Sequence, residues 1–340
     1  MAPANAAAAF EHGGNIVDAA RRYGIAPGDW LDLSTGISPF AYPVPPIDPA
    51  AWQRLPYDES RLVAAAAACY GCAGLLPVAG SQAAIQGLTR TLGAHTVAIV
   101  SPTYGEYRAR WEHAGARVNA IAPDDLARVA GTDTADVVVL CNPNNPTARL
   151  WRRDQLRAVH AQLRARGAWL MVDEAFMDSA PDESLMPDAG ADGLIVLRSI
   201  GKFFGLAGAR VGFVAAPADL RERLRRELGP WTISGPAIEA AAAALADTGF
   251  QKQARNRLQA ASARLAALLE HHGFAISGLA HFFVWSCRDD SRAVQDRLAR
   301  RGILVRAFDD PPGLRFGLPG NEQEWARLND ALQDLPRDAR

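Results

Sequence analysis

What the 340-residue chain lacks narrows its role before any motif is considered. It has four cysteines, Cys69, Cys72, Cys141 and Cys287, and neither a second Cys-x-x-Cys pair nor a nearby histidine doublet completes a zinc site, so no metal is expected. The pair Cys69/Cys72 ends an alanine-rich helical run and reads as two small apolar residues, which fits a reducing compartment. No charge of one sign prevails, with 36 basic against 37 acidic residues, so no global affinity for nucleic acid or an anionic membrane is expected, and any phosphate affinity must be local. Long apolar runs are absent too. The alanine-rich stretch 237–246 is interrupted by Glu239 and is too short to span a bilayer, and the apolar start 1–10 has no basic region ahead of it, making a poor signal peptide. There is no internal repeat and no low-complexity linker. A cytoplasmic protein with a large core is the expectation.

What is present centres on Ser199-Ile200-Gly201-Lys202-Phe203-Phe204-Gly205, continuing to Arg210 and Gly212. A lysine among phenylalanines is costly to leave charged and unpaired, so this setting favours a neutral amine, a nucleophile towards carbonyls. Ser199 and Arg210 are a hydroxyl and a guanidinium able to share one phosphate. Amine, hydroxyl and guanidinium together match an aldehyde carrying a phosphate, and pyridoxal 5'-phosphate is such a molecule. Alone, the loop is also compatible with a glycine-rich turn bearing a solvated lysine.

Around it, apolar runs at Leu75–Ala79, Thr96–Val100, Ala116–Ile121, Val137–Cys141, Trp169–Val172, Leu194–Leu197 and Val211–Ala215 alternate with helical stretches such as Arg61–Tyr70, Ser81–Leu92, Tyr107–Ala114 and Arg152–Arg166. This is an α/β pattern: a mainly parallel sheet with helices on both faces, and a site beyond the carboxyl ends of the strands. A proline- and glycine-rich N-terminal arm, residues 1–50 with a helix at Ile16–Tyr23, suits a segment laid over another surface. The large domain spans 51–229. After the breaker-rich link Pro230–Pro236, a smaller α+β domain occupies 230–340, with strands near His281–Ser286, Ile303–Arg306 and Leu314–Phe316.

Chemistry-bearing residues sit at the strand ends. Gly80-Ser81-Gln82 opens a helix directly after a strand, where free N–H groups form an anion site or, read alone, an ordinary cap. Cys141-Asn142-Pro143-Asn144-Asn145-Pro146-Thr147 is a proline-rigid loop, and Asp173-Glu174-Ala175-Phe176 ends a buried strand with a carboxylate that needs a partner. Tyr104 lies in the turn Ser101–Tyr107, and Arg315 interrupts an apolar C-terminal strand.

Asn-Pro-Asn-Asn-Pro-Thr, Asp-Glu-Ala-Phe and Ser-x-x-Lys-x-x-Gly-x-x-x-x-Arg-x-Gly, in this order, resemble the motifs of the class I and II aminotransferase superfamily, the fold-type I pyridoxal-phosphate enzymes. The resemblance implies that fold. It gives Lys202 as the cofactor lysine, Asp173 as partner of the pyridine nitrogen, Asn145 at the phenolic oxygen and Tyr104 on the ring face. Gly80, Ser81, Gln82, Ser199 and Arg210 fall at the cofactor phosphate, and Arg315 at the substrate carboxylate. Ala148 stands where the family has glycine, and Phe176 where many members have tyrosine.

His12-Gly13-Gly14-Asn15, Asp32–Pro39, Val78–Ile85 and Pro230–Ser234 look like the threonine-phosphate decarboxylases of cobalamin biosynthesis. These convert L-threonine O-3-phosphate to (R)-1-amino-2-propanol O-2-phosphate and carbon dioxide. That likeness makes His12, Asn15 and Gly36 candidates for the substrate phosphate, with Gly36 offering a backbone N–H where some relatives have asparagine. Leu55 replaces a family tyrosine, with Tyr57 nearby. A homodimer is implied. The alternative is an aminotransferase, such as one for histidinol phosphate, using the same residues. An aminotransferase-like transcription regulator is remote, since a basic helix-turn-helix is lacking.

Overall fold

The structure, a computed structural model, describes residues 12–335; the apolar start at 1–10 lies outside them. The strands are β1 (Leu31–Asp32), β2 (Leu75–Val78), β3 (Thr96–Val100), β4 (Arg117–Ile121), β5 (Val137–Cys141), β6 (Trp169–Asp173), β7 (Leu194–Ser199), β8 (Gly212–Ala215), β9 (Gly278–Ala280), β10 (Phe283–Cys287), β11 (Ile303–Leu304), β12 (Arg306–Asp309) and β13 (Pro312–Gly317). Seven of them form one sheet in the order β2-β8-β7-β6-β5-β3-β4, in which only β8 runs against its neighbours. The mainly parallel sheet expected from the alternation is therefore present.

Its central strands read as continuous apolar runs because both faces are covered. Residue parity decides which cluster each side chain joins. Val138, Leu140, Leu170, Val172, Leu194 and Val196 join one cluster, and Val137, Val139, Met171, Ile195 and Leu197 the other. Each such side chain contributes about 1.5–3 kcal/mol by leaving water. On the second face lie the helices Gly80–Leu92, Glu106–His113 and Ala218–Leu228, burying Ile85, Leu88, Tyr107, Trp111, Leu220 and Leu224. At the sheet edge, all five side chains of β4 are exposed or half-buried, Val118, Ala120 and Ile121 among them.

The C-terminal part carries an antiparallel sheet ordered β12-β13-β10-β9. Sequence periodicity predicts one strand over Ile303–Arg306, but the strand is interrupted at Val305. β11 pairs in parallel with β1, while β12 pairs with β13. Among the elements that escape the sequence reading, β1 has only two residues, β9 begins with a glycine, and the helix Ala218–Leu228 is dominated by charge.

The N-terminal arm covers a surface of its own chain. Leu33 N–H donates to Leu304 O at 2.8 Å and Gly317 N–H to Leu33 O at 2.7 Å, anchoring the arm to the small sheet. Further on, Ser38 N–H donates to Lys202 O at 2.9 Å and Tyr42 N–H to Phe204 O at 2.8 Å. A Cβ on Gly205, whose φ is +66°, would lie 2.7 Å from Ala41 Cα, so the arm passes where only glycine leaves room. The same segment thus touches the small sheet and the lysine loop. Among the described residues, no helix is long and apolar enough to cross a membrane.

Candidate active site

The carboxyl ends of β2, β3, β5, β6 and β7 open on one cavity of about 410 Å³, whose other wall is the N-terminal arm and the sheet β12–β13. It is lined by eleven of the residues singled out in the sequence: His12, Gly36, Ser81, Gln82, Tyr104, Asn145, Asp173, Ser199, Lys202, Arg210 and Arg315. Gly80 lies just behind. Asn15 does not line the cavity; its side chain accepts from Asp18 N–H at 3.2 Å and caps the helix Ile16–Tyr23.

Lys202 lies in the short helix Ile200–Phe203, which begins where β7 ends and is capped by Ser199 Oγ, accepting from Gly201 N–H at 3.2 Å. Its amine sits 5.6 Å from the Phe176 ring centre. Burial pushes its pKa down to about 8, the nearby Arg315 and Arg210 adding to the fall and Asp173 opposing it. Lys202 and Lys252 are the only lysines in the chain.

Asp173 ends β6 beside Cys141, its register partner on β5. Burial raises its pKa, while hydrogen bonds from the Tyr107 hydroxyl (2.8 Å to Oδ2) and Ala175 N–H (3.0 Å to Oδ1), and the Lys202 charge, counter the rise. Glu174 faces away and receives Arg198. Tyr104 presents its ring to the cavity and its hydroxyl to Gln82 Oε1 at 3.3 Å, and burial pushes its pKa up to about 12, so it remains protonated. Gln82 in turn donates to Glu106. Glu106 also receives Arg110 at 2.9 Å and lies 3.3 Å from His12 Nε2. Burial would raise the pKa of Glu106, but the bonds from Arg110 and Gln82 outweigh it and hold the carboxyl below its usual range. The sequence reading missed Glu106 and Tyr107. Their spacing after Tyr104 places them on the first turn of the helix Glu106–His113, which is a usable signal.

Arg315 is buried on β13, over the ring of Phe283. It donates to Asn145 Oδ1, and through Nη2 to Ser34 O at 2.6 Å, while its Nε has no partner. Because guanidinium only donates, this contact fixes the Asn145 amide with its oxygen towards Arg315 and its NH₂ free to donate elsewhere. Burial lowers the Arg315 pKa to about 9, with Arg306 adding to the effect, and the group stays charged at neutral pH. Arg306, the register partner of Arg315 on β12, lines the same cavity and was also missed, since a strand-end arginine looks like ordinary surface charge.

At the opposite end, a Cβ on Gly80 would lie 2.5 Å from Arg210 Nη2, and one on Gly212 would lie 2.8 Å from Ser81 N. Two glycines therefore let a guanidinium and a strand close on the start of the helix Gly80–Leu92. Arg210 itself has φ 52°, with Nη1 donating to Ala207 O at 3.1 Å. Helix N–H groups, the Ser199 hydroxyl and Arg210 form a cradle for a dianion, with the Lys202 amine nearby. This donor set suits a phosphate-bearing aldehyde. Among the described residues, no cluster of histidine, cysteine and acidic residues could hold a metal. Gly36 leaves no space for a side chain, since its Cβ would lie 2.8 Å from Phe176 Cε1.

The sequence profile of the family described as Aminotransferase class I and II matches residues 56–332. The chain is 48% identical to the threonine-phosphate decarboxylase of Pseudomonas aeruginosa, over 95% of this chain and 97% of that one. It is 42% identical to the threonine-phosphate decarboxylase of a Sinorhizobium species, over 94% and 97%. In fold it is similar to the histidinol-phosphate aminotransferase of Sinorhizobium meliloti solved in complex with pyridoxal-5'-phosphate, with a TM-score of 0.80 at 21% identity, covering 97% of this chain and 100% of that one. The chain belongs to the aminotransferase class I and II family and, within it, groups with threonine-phosphate decarboxylases.

Proposed function

We propose that the chain is a pyridoxal-phosphate-dependent lyase that decarboxylates L-threonine O-3-phosphate to (R)-1-amino-2-propanol O-2-phosphate and carbon dioxide, a step of cobalamin biosynthesis. The observation that carries this reading is the pairing of Arg306 and Arg315 across β12 and β13 on one wall of the cavity, with Arg210 on the other. A cofactor phosphate uses Arg210 and the helix start. Two further guanidiniums then suit a substrate with two anionic groups, a carboxylate and a phosphate. Histidinol phosphate has no carboxylate, so in the aminotransferase alternative Arg315 would meet a carboxylate only on the amino-acid co-substrate.

When bound, the cofactor supplies an electron sink for the charge left at Cα as the carboxylate departs. Asp173 holds the pyridine nitrogen, the Tyr104 ring covers the cofactor face, and the Asn145 amide donates to its phenolic oxygen. Gly80, Ser81, Gln82, Ser199 and Arg210 hold its phosphate. Arg315 grips the substrate carboxylate and orients the bond to be broken, while Arg306, His12 and the Gly36 N–H receive the substrate phosphate. Asn15 serves this group by fixing the helix start beside His12. Lys202, as the ammonium that it bears below about pH 8, gives a proton to Cα once carbon dioxide has left and becomes the neutral amine.

Placement in the cytoplasm and a homodimer belong to the same reading. The exposed Trp52, Leu55, Tyr57 and Trp231, with Tyr57 edge-on to Trp231 at 5.6 Å, supply an apolar face for a second copy. The division into an arm (1–50), a large domain (51–229) and a small domain (230–340) is part of it as well. Mass spectrometry of the products formed from L-threonine O-3-phosphate tests the activity. Aminopropanol phosphate formed without added keto acid supports it, and a keto acid formed in one turnover favours the aminotransferase.

A further inference from the structure

Tyr107 lies outside the cavity wall, is fully buried, and donates its hydroxyl to Asp173 Oδ2 at 2.8 Å. Ala175 N–H takes the other oxygen of the same carboxylate at 3.0 Å. With one donor on each oxygen, rotation of the carboxylate about its Cβ–Cγ bond is blocked, and one edge is turned to the cavity. We propose that Tyr107 is a positioning residue that fixes Asp173 in the orientation and ionised state needed to hold the pyridine nitrogen of the cofactor. The proposal rests on the assignment of Asp173 to that nitrogen.

The local chain explains how the hydroxyl arrives there. Tyr107 N–H donates to Tyr104 O at 3.2 Å, closing the turn that starts the helix Glu106–His113. The two rings meet edge to face at 6.2 Å, so one turn aims Tyr104 at the cavity and Tyr107 behind it at the carboxylate. Besides these two donors, the Lys202 charge also favours the ionised carboxylate. Cys141 Sγ, at 4.0 Å, is a buried thiol whose pKa is pushed far up by desolvation, with the Asp173 charge adding to the rise, and it receives Thr103 Oγ1 at 3.1 Å. Without the tyrosine hydroxyl, a carboxylate buried to 7% exposure would lose one of its two fixed donors, and a proton would be held by Asp173 rather than by the ring nitrogen.

Tyr107→Phe removes one oxygen and leaves the ring, so packing is retained. Equilibrium binding of pyridoxal 5'-phosphate is to be measured for the wild type, Tyr107→Phe, Asp173→Asn and the double variant, together with the absorption spectrum of the bound cofactor against pH. A hydrogen bond to a charged group predicts a loss of affinity on the order of tenfold to a hundredfold for Tyr107→Phe. Its spectrum should shift in the same direction as that of Asp173→Asn. In the Asp173→Asn background, Tyr107→Phe should have no further effect on either readout. An unchanged affinity in Tyr107→Phe, or an equal loss in both backgrounds, overturns the proposal while leaving Asp173 in its role. An unchanged affinity and spectrum in Asp173→Asn overturns the role of Asp173 and the proposal with it.

Discussion

Arg198 donates to Glu174 at 3.1 Å in the interior, and each partner is chain neighbour to a residue of the site: Glu174 follows Asp173, and Arg198 precedes Ser199. Arg198 also donates to Asp178 at 2.8 Å and lies 4.3 Å over the Tyr70 ring, while Ser184 and Leu185 N–H satisfy the rest of Glu174. The ends of β6 and β7 are therefore locked to each other on the face opposite the cavity. Removing one member leaves a buried charge without its partner, so Arg198→Ala should lower unfolding free energy by roughly 3–5 kcal/mol. Urea denaturation measures this, and a loss below about 1 kcal/mol, the range of an exposed pair, would contradict the buried network.

Lys202 makes stability depend on pH in the protein without cofactor. Its folded pKa of about 8 lies below that of an unfolded lysine, so below pH 8 both states hold the proton and the folded state bears the full cost of burying it. Between about 8 and about 10.4 the unfolded chain binds more protons, and stability rises with pH. Lys202→Met should stabilise the unliganded protein by about 2–3 kcal/mol at pH 7 and flatten that rise. Thermal unfolding from pH 6 to 10 decides it. Parallel curves for the two proteins would mean that the amine is not depressed.

Ala148 occupies the left-handed region, with φ 61°, a conformation that glycine adopts without strain. Alanine is strained there, and Ala148→Gly should raise stability by about 1 kcal/mol with no effect on substrate binding. A neutral or destabilising result in calorimetry would show that the alanine methyl, near Gly278, contributes packing that outweighs the strain.

Gly36 and Phe176 meet at the cavity wall. The ring of Phe176 fills the space a side chain at 36 would take, and Phe283 lies 3.1 Å from the same point. Gly36→Ala should therefore cost about 1–3 kcal/mol through overpacking and raise KM for the phosphorylated substrate. If Gly36→Ala is indistinguishable from wild type in both stability and KM, the contact is soft and the substitution at 36 is independent of Phe176.

Much of this was legible in the sequence. The apolar runs of β5, β6 and β7 marked central strands, and the residues after them, Asn145, Asp173 and Ser199 to Lys202, reach one cavity because parallel strands end on one side. What periodicity could not convey is long-range. β1 pairs with β11 across most of the chain, Val305 divides two strands that look like one, and Arg306 gains meaning only opposite Arg315. Tyr107 and Glu106 resembled an ordinary helix start, and their partners Asp173 and Gln82 lie on other elements. Asn15, grouped with His12 by sequence, is spent on a helix cap because its side chain reaches Asp18 rather than the cavity.

The most direct test of the central claim is to follow carbon dioxide from carboxyl-labelled L-threonine O-3-phosphate, with the purified protein, pyridoxal 5'-phosphate and no keto acid, for the wild type and Lys202→Ala. Release of many equivalents of label per wild-type subunit, matched by aminopropanol phosphate and absent in Lys202→Ala, is the predicted result. Retention of the label in the substrate or in a keto acid, or equal release by both proteins, would contradict the account.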